Sequence, residues 1–328
     1  MIVSFRSSKE ELTDYLRAQG FIGAEDVVLN LEKPGEGNMN FVARIQTQAG
    51  SVIVKQANPF VQKYPHIAAP QERILVEAEF YKAVENYKSL ATAMPLLIGL
   101  DSANHILVLQ DLGNSTDFTF LYQKNRTLDS TELEQLVSFL NTLHEIPYGR
   151  LTTYSKNKAL RELNHEHLFR YPFMEDNGFD LDTIQQGLQE IALPYNADKV
   201  FKKRVSELGD IYLSDGKHLL HGDYYPGSWL KTKDGLKIID PEFSYVGNRE
   251  FDLGVFIAHL TMSEASTDQI DWVTKHYLAG PDFNWNLCYQ FAGIEIMRRI
   301  IGLAQLPFDL TLEEKENLLK EAHTFILK

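Results

Sequence analysis

The sequence predicts an α+β chain in two lobes: a small N-terminal lobe with an antiparallel sheet and one main helix, and a larger, mostly helical C-terminal lobe. Two observations predict it. Strand-like runs rich in β-branched and aromatic residues crowd the first third of the 328 residues, and after Asp111-Leu112-Gly113 the pattern changes to helical periodicity. A third fills in the detail: one clear β pair, 228–231 with 236–240, is embedded among the helices. The division expected is 1–111 for the first lobe and 112–328 for the second.

The elements follow in order. Ser8 and Glu11 have capping-box spacing ahead of Leu12, Tyr15 and Leu16, which share one helical face. Strands are expected at 27–31, 41–47 and 51–55, a helix at about 73–87, and a strand at 106–110. In the second half helices are expected at 131–144, 197–214, 250–262, 267–278, 284–305 and 311–326. Thr131 with Glu134, and Thr311 with Glu314, repeat the capping-box spacing.

Composition narrows the function classes. Hydrophobic residues make up 44% and charged residues 23%, the balance of a globular protein. The formal net charge is −13 with no block of Lys and Arg, which argues against nucleic acid or an anionic membrane as partner. Cys288 is the only cysteine, so an intrachain disulfide and a Cys-based zinc site are excluded. The N-terminus lacks the apolar stretch of a signal peptide and no segment approaches membrane-spanning length, so a cytoplasmic location is expected. The oligomeric state is left open, a homodimer included.

Three clusters carry the chemistry. The first is Pro34-Gly35-Glu36-Gly37-Asn38-Met39-Asn40 between two strands; glycines let the backbone approach a ligand, and such a turn can hold phosphates on its N–H groups. Two glycines also serve many plain hairpin turns. Lys55 lifts the reading. With Gln48-Ala49-Gly50 as the next turn, Lys55 falls opposite Ala43, three residues from Asn40 or about 10 Å along a strand. There it reaches the phosphates of a nucleotide under the turn, the alternative being a strand-end lysine with its ammonium in water. The second cluster is His221-Gly222-Asp223 with Ser228, and the third is Asp240-Pro241-Glu242. With Asp234-Gly235 as a two-residue hairpin loop, Ser228 faces Pro241, beside both acids. Asp240 and Glu242, two apart in an extended chain, point to one side. Two carboxylates and a hydroxyl suit Mg²⁺, which keeps waters and takes further oxygens from ATP. Turn capping or a salt bridge is the structural alternative for each acid alone.

Together Gly35–Asn40 with Phe41-Val42, Val54-Lys55-Gln56-Ala57, His221-Gly222-Asp223 and Ile239-Asp240-Pro241-Glu242-Phe243 resemble the aminoglycoside phosphotransferase and choline kinase superfamily, with its protein kinase-like fold. The likeness is greatest to the 5-methylthioribose kinases. That rests on Gly-Glu-Gly-Asn-Met-Asn-Phe, on Gln-Ala-Asn-Pro-Phe-Val after Lys55, on Asp-Pro-Glu, and on the helix Ile296-Met297-Arg298-Arg299-Ile300-Ile301-Gly302. The loop Asp223-Tyr224-Tyr225-Pro226-Gly227-Ser228-Trp229 departs from it, since the family usually has leucine and histidine after the aspartate.

The resemblance implies an ATP- and Mg²⁺-dependent phosphotransferase acting on a small-molecule hydroxyl, with 5-methylthioribose or a related sugar foremost. An aminoglycoside, a choline-like amine or another alcohol as acceptor, and a non-catalytic nucleotide-binding pseudokinase, are the alternatives. It implies that the amides of Gly35, Gly37, Asn38 and Asn40 cover the phosphates. Lys55 pairs with them and is held by a helix glutamate: Glu77, with Glu72 and Glu79 as rivals. Gln110, Asp111 and Leu112 offer backbone groups to adenine. Asp240 and Glu242 hold Mg²⁺ with Ser228 assisting, and Asp223 orients the acceptor hydroxyl and takes its proton. Arg298 and Arg299 face the substrate, or are ordinary helix arginines bonded to acidic neighbours. Tyr224, with Tyr225 and Trp229, lines the acceptor pocket or packs in the core. His221, His144 and Asp252 read as structural, Asp252 accepting backbone N–H bonds from the catalytic loop.

Overall fold

The computed structural model describes residues 2–35, 37–263 and 267–328; Glu36 of the glycine-rich turn lies outside the described residues. The chain divides into two compact units, one of Met1–Thr116 with Thr232–Ser244 and one of Asp117–Lys231 with Tyr245–Lys328.

In the first unit helix α1 (Lys9–Ala18) starts at Ser8, whose hydroxyl accepts from the Glu11 N–H. Strands β1 (Val28–Glu32), β2 (Phe41–Thr47), β3 (Ser51–Gln56), β4 (Phe60–Val61), β5 (Tyr64–Ala68), β6 (Leu97–Asp101) and β7 (Ile106–Gln110) follow, with helix α2 (Arg73–Val84) between β5 and β6. The five-stranded sheet runs β1-β2-β3-β7-β6, every neighbour antiparallel, and β4 with β5 forms a separate hairpin. Along β2 every second side chain, Phe41, Ala43, Ile45 and Thr47, is buried. The apolar ones meet Leu12 and Leu16 of α1 in one core with Val28, Val54, Ile106 and Val108.

One register differs from expectation. The β2–β3 turn closes with the Thr47 N–H donating to Gly50 O, so Gln46 pairs with Ser51 and Lys55 with Val42 rather than Ala43. A four-residue closure, not a three-residue loop, moves Lys55 one position nearer Asn40. The segment 232–244 joins this unit through strand Gly235–Ile238, where the Ile238 N–H donates to Ala93 O at 2.7 Å, and through the 3-10 turn Pro241–Phe243, which packs on α2. Its tight turn is Lys233-Asp234, one residue earlier than expected. Thr232 Oγ1 donates to Gly235 O, and Gly235 at φ 95° takes the left-handed conformation that closes the turn.

The second unit is helical. Its main helices are α3 (Ser130–His144), α4 (Lys199–Leu213), α5 (Glu250–Met262), α6 (Trp285–Ile301) and α7 (Leu312–Leu327). The capping box of α3 is Asp129 with Glu132, two residues ahead of the expected Thr131 and Glu134, whereas Thr311 and Glu314 cap α7 as the spacing indicates. Helix α6 is the hub and is buried on nearly every side. Glycines allow the close approach: a Cβ on Gly254 of α5 would stand 2.6 Å from Cys288 O, and one on Gly293 of α6 would stand 2.7 Å from Ala322 O of α7. Strand His218–Leu220 pairs with Tyr245–Gly247 and delivers the chain to His221.

Candidate active site

Each unit carries one cluster of the expected residues. In the first, Lys55 leaves the centre of the sheet and is buried, so its ammonium needs partners inside the protein. Glu77, on α2 and fully buried, accepts from Lys55 Nζ with both carboxylate oxygens at 2.7 and 2.8 Å. Asp240 Oδ1 accepts from the same nitrogen at 2.5 Å. Neither Glu72 nor Glu79 is that partner. Burial works to discharge Lys55, but Asp240 and Glu77 outweigh it and hold the ammonium charged far into the alkaline range.

Asp240 and Glu242 do not share a side. Asp240 sits at φ 62°, ψ 50° and opens the turn Pro241–Phe243, so the segment is coiled where an extended chain was expected. The Asp240 side chain is 48% exposed. Glu242 turns inward and is 6% exposed; its Oε2 accepts from Asn40 Nδ2 at 2.9 Å and lies 3.4 Å from Arg73 Nε. Among the described residues no group of three or more His, Cys, Asp and Glu side chains is arranged to hold a metal by itself. Asp240 is an accessible hard oxygen, and Mg²⁺ commonly takes most of its other ligands from phosphate and water. The donor set fits that ion.

The turn before β2 brings Gly35, Gly37, Asn38 and Asn40 ahead of the sheet, with a Cβ on Gly37 reaching to 3.0 Å from Asn40 O. At the other end Gln110 pairs with Val52 and donates its N–H to Leu96 O. The Asp111 carboxylate is spent on Arg44 and on Ser51 Oγ, at 2.7 and 2.6 Å, leaving backbone as what Asp111 and Leu112 can offer a ligand.

In the second unit Asp252, fully buried in the first turn of α5, accepts from the N–H groups of His221 at 2.7 Å and Gly222 at 2.9 Å, as expected, and from His144 Nε2 at 3.3 Å. This fixes the backbone entering Asp223. Ser228 Oγ donates to Asp223 O at 2.9 Å and closes the loop from its far side. The Asp223 side chain, 20% exposed, faces two arginines: Arg299 Nη2 donates to Oδ1 at 3.4 Å, and Arg298 Nη1 lies 3.9 Å from it. Burial raises its carboxyl above the ordinary range against the pull of Arg299 and Arg298. That favours a group able to take up a proton.

Arg298 and Arg299 are nonetheless bonded to an acidic neighbour on their own helix. Glu295, fully buried, accepts from Arg299 Nε at 2.6 Å and from Arg298 Nη1 at 3.1 Å. His259 Nε2 lies 3.1 Å from Glu295 and His259 Nδ1 lies 2.8 Å from the Tyr122 hydroxyl. Burial pushes this imidazole down to about 4, so it is neutral. Its Nε2–H then donates to Glu295 and its Nδ1 accepts from Tyr122. Glu295 carried a signal in the sequence, its i,i+3 and i,i+4 spacing to the arginines; His259, Tyr122 and Arg73 carried none.

Tyr224 is a correction. It is fully buried, its hydroxyl donates to Leu136 O and its ring stacks on Phe139, so it packs in the core with Trp229. Tyr225 instead covers the Arg299 guanidinium at 4.6 Å.

Residues 30–285 match the profile of the phosphotransferase enzyme family. The chain belongs to that family. Curated relatives include the methylthioribose kinase of Exiguobacterium sibiricum, 26% identical over 76% of this chain and 65% of the relative. Methylthioribose kinase 1 of Oryza sativa subsp. japonica is 26% identical over 75% and 59%. The methylthioribose kinase of a Geobacillus species is 25% identical over 90% and 84%. The chain thus spans less than two thirds of the length of the first two. Among solved structures, spectinomycin phosphotransferase in complex with ADP and spectinomycin superposes with a TM-score of 0.56 over 98% of this chain and 98% of its own, at 15% identity. The choline kinase of Streptococcus pneumoniae gives 0.53 over 97% and 98%, at 14% identity. The fold is the kinase-like fold of these enzymes. Among the described residues no helix is long and apolar enough to cross a membrane.

Proposed function

We propose that this family member transfers the γ-phosphoryl group of ATP to a hydroxyl of a small metabolite, 5-methylthioribose or a related sugar, in the cytoplasm. The observation that carries the reading is the buried ammonium of Lys55 held at once by Glu77 and Asp240. Such a lysine is aimed and kept charged, as phosphate binding requires.

In this reading the loop amides of Gly35, Gly37, Asn38 and Asn40 hold the phosphates with Lys55, and backbone groups of Gln110, Asp111 and Leu112 hold adenine. Asp240 would hold Mg²⁺, with Glu242 adding charge from behind and Ser228 its hydroxyl oxygen; the ion would neutralise charge on the phosphates. Asp223 accepts the proton of the acceptor hydroxyl, and Arg299 and Arg298 stabilise negative charge arriving beside it. Beside Asp223 the two guanidiniums offer donors to sugar hydroxyls, which favours a polyhydroxylated acceptor over choline.

The test is a coupled assay for ADP release with methylthioribose, choline, homoserine and aminoglycosides as acceptors. Methylthioribose or a close sugar is expected to drive release. Turnover on choline or an aminoglycoside alone would remove the sugar assignment, and nucleotide binding with no ATP consumption on any acceptor would favour a pseudokinase.

A further inference from the structure

Behind the phosphate loop lies a buried polar cluster centred on Arg73, a residue that the phosphoryl-transfer reading leaves unused. Arg73 begins α2 and is fully buried, although the sequence marks it only as a helix start. Its Nε donates to Asn40 Oδ1 at 2.8 Å and its Nη2 to Met39 O at 3.0 Å, while Nη1 donates to Pro70 O at 2.7 Å and Asn58 O at 3.0 Å. The other end of the Asn40 amide donates to Glu242 Oε2, which also lies 3.4 Å from Arg73 Nε. Arginine only donates and a carboxylate only accepts, so the Asn40 amide has one orientation, oxygen to Arg73 and nitrogen to Glu242. The hairpin β4–β5 adds two clasps, Gln62 N–H to Met39 O and Lys63 N–H to Asn38 O.

We propose that Glu242, Asn40 and Arg73 form a buried latch that ties the end of the phosphate loop to the acidic motif. Asp240 alone of the two acids presents its carboxylate outward. This rests on the kinase reading for its consequence but not for its geometry. A glycine-containing loop is costly to order around a ligand, and a latch of charge-assisted hydrogen bonds bears that cost in the folding of the unit. The segment carrying Asp240 then moves with the loop as one piece, and the loop amides and the metal-facing carboxylate keep a fixed spacing.

A charge swap tests it. Asn40→Asp sets two carboxylates against each other at the 2.9 Å contact. It is expected to speed amide exchange of residues 37–40 and to weaken ADP affinity, measured by calorimetry without Mg²⁺, by about tenfold or more. Adding Glu242→Gln restores one donor and one acceptor in the pair, with the roles reversed, and Arg73 still faces a carboxylate. The double variant is expected to regain amide protection and ADP affinity together relative to Asn40→Asp. Regained protection without regained ADP affinity would overturn the link between the latch and the nucleotide site. Failure to regain protection, with circular dichroism showing a folded protein, would overturn the latch itself. Should the wild-type chain bind no ADP, the kinase reading fails, and the exchange data still decide the latch.

Discussion

Asp223 is held by its backbone on one side and by arginines on the other, and both arrangements bear on what its carboxylate can do. Asp252 and Ser228 fix the loop, so Asp223→Asn should keep the local structure and lose only the acid–base group. Turnover is expected to fall by about two to four orders of magnitude with ADP affinity nearly unchanged; near-normal turnover would remove Asp223 from the reaction. His259 supplies a pH prediction. The folded protein protonates it only near pH 4, the unfolded chain near 6.5, so the unfolded state takes up its proton first as the pH falls. Its contribution is complete above pH 6.5 and drains away between 6.5 and 4, amounting to about 3 kcal/mol. Urea midpoints measured from pH 7 to 4.5 should fall more steeply for the wild type than for His259→Gln. Parallel curves would mean that the imidazole is not buried neutral. The identities of Lys55, Asp223 and Asp240 were legible because charged residues at strand ends and loops stand out against apolar neighbours. Arg73 was not, since its partners Met39, Asn58 and Pro70 contribute carbonyl oxygens, which every residue type has.

At the scale of elements the periodic segments were legible and the turns between them were not. Helices α5, α6 and α7 lie close to where periodicity and caps put them. The β2–β3 register slipped by one residue and the second turn closes one residue early, because closure was decided by the Thr47–Gly50 and Thr232–Gly235 bonds and not by which residues favour turns. The same-side argument for Asp240 and Glu242 failed for a related reason: it assumed a strand, whereas Pro241 starts a 3-10 turn after a left-handed Asp240. Helix packing gives the test at this scale. Gly254→Ala places a methyl group 2.6 Å from Cys288 O and 2.9 Å from the Phe291 Cβ, so α5 must draw back from α6. A loss of about 1–3 kcal/mol is expected in chemical denaturation; no loss would mean that the two helices separate freely.

For the molecule as a whole, the return of residues 232–244 to the first unit is the decisive arrangement, since it sets Asp240 against Lys55. If Asp240 is the metal-facing acid, Mg²⁺ should add to the thermal stabilisation that ADP gives the wild type. Asp240→Asn should abolish that added part, and a Mg²⁺ increment that survives the substitution would place the metal elsewhere. The sequence by itself determined the fold class and singled out the charged side chains proposed to react, because hydrophobic period, caps and isolated charges are local properties of the chain. The tertiary structure decided which glutamate meets Lys55, that Glu242 turns inward to Asn40 and Arg73, and that Tyr224 is core. Each of those depends on partners tens to hundreds of residues away, chosen by burial and by the need of every buried charge for a counter-charge, and no local pattern records that choice.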